Sequence, residues 1–188
     1  MSLKQRRILL AITGGIAAYK ALELARLLVK EGALVRPLLT ESATRFITPL
    51  SIQALCGHRP LGDLFDLEQE SSFGHIEAAR WADLVLIAPA TANSMAKAAL
   101  GLASDYLGTL LLASNAPLAL APAMNQAMWA NRRTQDHLAR LREQGAMIWG
   151  PEAGDLACGE TGPGRMLEPA AIVAKLQEFF SQPGPLVN

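Results

Sequence analysis

Five short stretches hold most of the residues that could do chemistry. In "TGGIAA" (13–18), Gly14 and Gly15 precede a run that reads as a helix. Backbone N–H groups in such a turn, aided by the helix dipole, suit a phosphate, although a plain strand-to-helix turn uses the same residues. "PATANS" (89–94) supplies Thr91, Asn93 and Ser94, which can meet a phosphate, or cap a helix through Asn93 or Ser94. "TESATRF" (40–46) brings the Thr40 hydroxyl beside Glu41. "PAMNQAMW" (122–129) has no acid, base or nucleophile, but Asn125 can donate and accept hydrogen bonds. Met124, Met128 and Trp129 around it fit a flat apolar slot or ordinary packing. "GDLACGETGPGRM" (154–166) combines four glycines with Pro163, Arg165 and Cys158. It reads as a mobile, irregular loop, an odd place for a thiol that usually fills apolar interiors. His75 follows a glycine and opens a short helix, whereas His58 and His137 read as structural or surface residues.

The patterns also exclude. Ala17 and Ala18 follow Ile16, so the glycine turn is not GxGxxG, and no Gly-Lys-Ser/Thr makes it a P-loop. A mononucleotide phosphate is favoured over a dinucleotide, with Glu41 the one residue that keeps a ribose contact open. The 17 basic and 17 acidic residues balance, and no basic face or run suggests a nucleic-acid partner. Two cysteines, Cys56 and Cys158, make no disulfide framework, which fits a reduced compartment. The apolar run after Arg7 is too short for a signal peptide and is interrupted by Thr13-Gly14-Gly15. "LGTLLLASNAPLALAPAM" is broken by Ser114, Asn115 and Pro117, short of the roughly 20 apolar residues of a membrane helix. A soluble cytoplasmic protein is the expectation.

These residues need elements to position them. "RILLAI" reads as a strand buried on both faces, followed by a helix to Gly32 whose apolar stripe is Leu24, Leu27, Leu28 and Val29. "ALVRPLL" is a second strand, placed at an edge by Pro37. Thr48-Pro49 caps a helix that takes Cys56 as core filler. "HIEAARW" is a short helix and "ADLVLIAP" a clear strand; two helices with a break at Gly101 come next. "PLALAPAM" is a strand entering a loop, "TQDHLARLREQG" a helix, "AMIWG" a strand and "EPAAIVAKLQEFF" a closing helix. The alternation predicts an α/β, three-layer doubly wound parallel sheet. Ligands of such sheets bind beyond the carboxyl ends of the strands, where all five stretches fall. Half of the chain is hydrophobic (51 %), enough for one domain core; residues 1–180 are read as that domain and 181–188 as a tail or the start of a linker.

"ITGGIAAYK", "FGHIEAARWADLVLIAPATANSMAK", "LAPAMNQAMW" and "ACGETGPGRMLEP" together resemble the flavin-dependent cysteine decarboxylases. Within them the likeness is to the phosphopantothenoylcysteine decarboxylases, over about Arg7 to Phe180. The resemblance implies a Rossmann-like fold of flavoprotein type and bound FMN, with no metal. Gly14, Gly15, Ile16, Thr40 and the Thr91-Ala92-Asn93-Ser94 motif would hold the cofactor. It implies decarboxylation of 4′-phosphopantothenoylcysteine to 4′-phosphopantetheine: oxidation of the cysteine thiol, loss of CO₂, and reduction of the resulting ene-thiolate. His75 matches the essential histidine, Asn125 the residue that holds the substrate carboxylate, and Cys158 the acid that protonates the ene-thiolate. Met124 and Arg165 would contact substrate, although a surface ion pair explains Arg165 nearly as well. The family forms trimers, often four in a dodecamer, with flavin near a subunit interface. Bifunctional members continue into a synthetase domain, whereas this chain ends at Asn188. "ACGE" argues against the peptidyl-cysteine decarboxylases, which release the ene-thiol. Together with "PAMN" it argues against the flavin prenyltransferases; the intact His75, Asn125 and Cys158 set disfavours a flavin-binding regulatory subunit.

Overall fold

The computed structural model describes residues 3–64, 74–155, 159 and 161–182, apart from the side chain of Asp155. Its centre is a parallel sheet of five strands: β1 (Arg7–Ile12), β2 (Leu34–Leu39), β3 (Leu84–Ala90), β4 (Leu118–Pro122) and β5 (Met147–Ile148). The spatial order is β2-β1-β3-β4-β5, all parallel.

Strand periodicity sorts the core into two halves. Ile8, Leu10 and Ile12 of β1 and Leu84 and Leu86 of β3 face one layer of helices. Leu9 and Ala11, Val85 and Ile87 face the other. The first layer contains α1 (Ala18–Lys30), α2 (Pro49–Cys56) and α8 (Pro169–Ser181). The second contains α3 (Gly74–Trp81), α4 (Ala92–Leu100), α5 (Tyr106–Ala113) and α7 (Arg132–Glu143). This is the doubly wound three-layer arrangement expected from the alternating pattern.

Local sequence explains most boundaries. Pro37 sits on edge strand β2, where its carbonyl turns outward to accept from the Leu61 amide at 2.9 Å, so the missing N–H costs no sheet bond. Thr48 Oγ1 caps α2 by accepting from the Ser51 amide at 3.1 Å. Gly101 adopts φ +68° and ends α4, and Asp105 starts α5 by accepting from the Gly108 amide at 2.8 Å. Cys56 packs against the first core layer. The buried stripe of α1 is Ala18, Ala21, Leu24, Ala25 and Leu28; Leu27 is partly buried and Val29 faces outward at 41 % exposure. The reading that included Val29 followed hydrophobicity where the 3.6-residue turn excludes it.

Two elements depart from the sequence reading. The stretch after Pro122 contains a one-turn helix, α6 (Gln126–Ala130). The stretch from Gly154 is flanked by strands: β6 (Glu152–Asp155) pairs antiparallel with β7 (Thr161–Arg165) in a separate ribbon. Glycine and proline obscured the ribbon because its stability comes from docking, not from β propensity. Cys158 lies outside the described residues.

Candidate active-site cleft

The sheet order changes direction at β1: the chain runs outward to β2, then returns to β3 on the other side. The carboxyl ends of β1 and β3 therefore bound a crevice at a topological switch point. An open cleft of about 940 Å³ lies there, within the size of a small-molecule or cofactor site.

The cleft floor comes from two helix starts. Gly14, Gly15, Ile16 and Ala17 line it at the head of α1, and Thr91, Ala92 and Asn93 line it at the head of α4. The N-cap of α1 is Ala17, which provides no side-chain cap. The amides of Ala18, Tyr19 and Lys20 donate to the carbonyls of Gly15, Ile16 and Ala17, so what this end offers an anion is the glycine turn and the helix dipole, which the dipole of α4 reinforces. Gly14 is required by close approach: a Cβ on it would run into the side chain and backbone of Ser42. Gly15 is less constrained, since its Cβ would lie 3.6 Å from Thr91 Cγ2, an ordinary contact.

Buried Thr13 holds the two floor segments together. Its hydroxyl donates to the Pro89 carbonyl at 2.6 Å and accepts from the Thr91 amide at 3.2 Å. Thr91, not Asn93 or Ser94, is the N-cap of α4, accepting from the Ser94 amide at 3.3 Å. Ser94 is buried, donates to the Thr91 carbonyl at 2.9 Å and stands behind the cleft lining. Thr40 likewise stands behind the lining. It caps the 3-10 helix Glu41–Arg45 and lies 3.2 Å from the Ser42 hydroxyl, and Ser42 forms the wall.

The opposite wall is the Asn125 turn. Asn125 Oδ1 accepts from the amides of Ala127 at 2.7 Å and Met128 at 3.3 Å. The cap commits the oxygen to α6, which fixes the orientation of the Asn125 amide at the cleft. Met124 and Met128 flank it, and Met128, Ile16 and Tyr19 are exposed apolar side chains around the same cleft.

The ribbon closes the remaining side. Gly164 and Arg165 line the cleft, and the Gly164 carbonyl accepts from the Met124 amide at 2.9 Å. A Cβ on Gly164 would strike the Met124 carbonyl oxygen, and its φ of +150° is one that side chains avoid. A Cβ on Gly162 would strike Gln126. These glycines admit β7 against the Asn125 turn.

His75 occupies the first turn of α3 and is outside the cleft lining of its own chain. Its ring meets Tyr106 edge to face, with centroids 6.3 Å apart. α3 is fastened to β2 by Arg36, which pairs with Glu77 at 3.5 Å and lies over the Trp81 ring. The structure thus brings Gly14, Gly15, Ile16, Thr91, Ala92, Asn93, Met124, Asn125 and Arg165 to one cleft, and leaves Thr40, Ser94 and His75 outside its lining. Sequence reasoning missed Thr13, Tyr19, Lys20, Ser42 and Glu168. Tyr19 and Lys20 were within reach, because they complete the motif "GGIAAYK". At the cleft, the Lys20 ammonium holds the Glu168 carboxyl below its ordinary range; away from it, burial pushes the Cys56 thiol up to about 11.

The Flavoprotein family model matches residues 1–181. The chain is 55 % identical over 181 residues to the Coenzyme A biosynthesis bifunctional protein CoaBC of Vibrio cholerae, covering 96 % of this chain and 45 % of that protein. It therefore spans about half the length of the curated relatives it matches. Among solved structures it is similar to a PPC decarboxylase mutant complexed with pantothenoylaminoethenethiol, at 35 % identity and a TM-score of 0.86, covering 95 % of this chain and 100 % of that one. It is also similar to the FMN binding protein AtHal3, at 36 % identity and a TM-score of 0.84, covering 96 % and 100 % respectively.

Proposed function

Because the chain belongs to the Flavoprotein family, we propose that it binds FMN and decarboxylates 4′-phosphopantothenoylcysteine to 4′-phosphopantetheine in coenzyme A biosynthesis. The observation that carries this reading is the convergence of two helix N-termini and Asn125 on one cleft at the switch point. The cleft also fits FMN: Gly14 admits close backbone approach, the helix ends suit the phosphate, and Ile16, Tyr19 and Met128 offer apolar surface to a ring. When bound, FMN supplies the two-electron redox chemistry that gives the departing carboxylate an electron sink.

The chain's own residues bind, orient and protonate. The amide of Asn125, held by its cap, orients the substrate carboxylate beside Met124. The His75 imidazole assists the oxidation and decarboxylation. Cys158 delivers a proton to the ene-thiolate, a role suited to a thiol of ordinary pKa near ~8.5. Thr91, Ala92 and Asn93 hold the cofactor with the glycine turn, while Ser94 acts through its bonds to Thr91 and Thr40 through Ser42.

His75 stands outside its own chain's cleft lining, and exposed Ile16, Tyr19 and Met128 ring the cleft. Both features support the homo-oligomer, a trimer or four trimers, as part of this reading. Residues 1–180 form the FMN-binding decarboxylase domain, with 181–188 a tail or linker, and a fused synthetase domain is the partner that the bifunctional relatives suggest. None of the described helices is long and apolar enough to cross a membrane. A cytoplasmic location belongs to this reading because coenzyme A biosynthesis is the pathway it assigns.

Incubation of the purified yellow protein with 4′-phosphopantothenoylcysteine, followed by mass spectrometry, tests the proposal. Loss of CO₂ with formation of 4′-phosphopantetheine is expected. A colourless protein that binds no FMN, or a flavoprotein that leaves this substrate intact, overturns it.

A further inference from the structure

A row of alternating charges runs from the ribbon to the floor of the cleft. Glu152 opens β6 and pairs in register with Arg165, which closes β7. The Arg165 guanidinium lies 3.5 Å from Glu152 Oε2 and 3.4 Å from Glu168 Oε1. That same Glu168 oxygen accepts from Lys20 Nζ at 2.8 Å. Glu168 is the N-cap of α8 and Lys20 lies in the first turn of α1, where only 12 % of its side chain is exposed. The guanidinium also crosses the face of β6, since a Cβ on Gly154 would lie 3.1 Å from Arg165 Nη1.

This placement bears on what Arg165 does. Its charge is already met by two carboxylates, and the row Glu152, Arg165, Glu168, Lys20 sums to zero. A substrate anion approaching Arg165 would face both acids, which weakens it as an anion seat. A two-stranded ribbon is marginal by itself and needs anchors. One is the bond from the Met124 amide to the Gly164 carbonyl; the charge row is the second, on the side of α8 and α1.

We propose that Arg165 is a positioning residue for the last step of the reaction, protonation of the ene-thiolate, by fastening the β6–β7 ribbon to the side of the cleft formed by α8 and α1. This rests on the reading above that Cys158, which falls between those strands in sequence, protonates that intermediate. Each pair alone is partly exposed and weak, so the row acts by fixing the ribbon's orientation and not by holding the domain together. Both carboxylates are met by the same nitrogen, Nη2, at the end of a side chain that crosses the face of β6, so the contact depends on the reach of arginine as well as on its charge.

The test is the product ratio of the FMN-loaded full chain, followed by mass spectrometry as ene-thiol formed against CO₂ released. In Arg165→Gln the ene-thiol share is expected to rise roughly tenfold, inside the range that a small misplacement of a reacting group costs, with Arg165→Lys intermediate. Glu152→Gln, which removes an acid outside the cleft lining, should raise the share in the same direction. Raised ionic strength should increase it in the unmodified protein more than in Arg165→Gln. An unchanged product ratio with a raised KM in Arg165→Gln, and a lowered KM in Glu152→Gln, would make Arg165 a substrate-anion ligand and overturn the proposal. Cys158→Ser separates the two levels: if it accumulates no ene-thiol, the role of Cys158 fails. Hydrogen exchange over 152–155 and 161–165 then decides the fastening by itself. Faster exchange in Arg165→Gln supports it, and unchanged exchange overturns it.

Discussion

Two glycine-rich segments border the cleft, and they use glycine for different ends. Gly14 and Gly15 lie at the end of buried β1, with Thr13 bonded across to β3. Glycine there keeps a helix start bare and brings its backbone against Ser42, leaving room for a ligand. Gly162 and Gly164 lie in a two-stranded ribbon outside the main sheet. Glycine there lets one piece of protein dock on another, against Gln126 and the Met124 carbonyl. One segment is rigid because the core encloses it, and the other is held by a few contacts at its rim. Each places two glycines close together; the neighbours differ.

That contrast yields predictions of decreasing size. Gly14→Ala should show the largest effect, a loss of FMN binding of at least about tenfold, because the new Cβ meets backbone as well as side chain of Ser42. Equilibrium titration with FMN checks it, and near-normal affinity would mean that the turn does not approach the ligand. Gly164→Ala should instead leave FMN affinity nearly intact while it undocks the ribbon, at a local strain of about 1–3 kcal/mol. Proteolysis of the ribbon and the ene-thiol share of the products report it. Equal loss of FMN binding in the two variants would erase the distinction drawn here. Thr13→Val removes a buried hydroxyl that links β1 to β3, and should lower stability by about 1–3 kcal/mol in urea unfolding.

Acid should loosen the ribbon side first. Glu168 has a folded pKa depressed by Lys20, so its stabilising contribution is complete above the ordinary glutamate value and is lost as pH falls through the lowered one. Exchange of the ribbon amides should therefore rise in that acidic window and not between neutral and mildly acidic pH. Glu168→Gln should flatten that response. The smallest expected effect is at Cys56, whose thiol is pushed up to about 11 by burial. Alkylation at neutral pH should leave Cys56 largely unmodified, and mapping of the labelled peptide checks this.

Much of this arrangement was legible before any coordinates. The buried runs of β1 and β3, the edge position of Pro37, the cap at Thr48 and the break at Gly101 follow from local rules that the tertiary structure does not override. The glycine turn and the Asn125 loop were likewise readable, because residue type and position after a strand specify both. The ribbon was not. Its glycines favour turns locally, and only the Asn125 loop and the charge row make strands of them. Thr40 and Ser94 fit by type, but the Thr40 oxygen caps the 3-10 helix and the Ser94 hydroxyl donates to the Thr91 carbonyl; Ser42 and Thr91 line the cleft instead.

The sequence by itself determined the layered α/β plan, the rim on which chemistry would gather and most of the residues on it, since these depend on periodicity, capping and strand order. Only the tertiary structure decided which neighbour each residue meets. It set Arg165 between two acids, Lys20 on Glu168, and His75 against Tyr106 outside its own chain's cleft lining. Those pairings join residues far apart in the chain, and electrostatic and packing energies depend on distances that local sequence patterns do not encode.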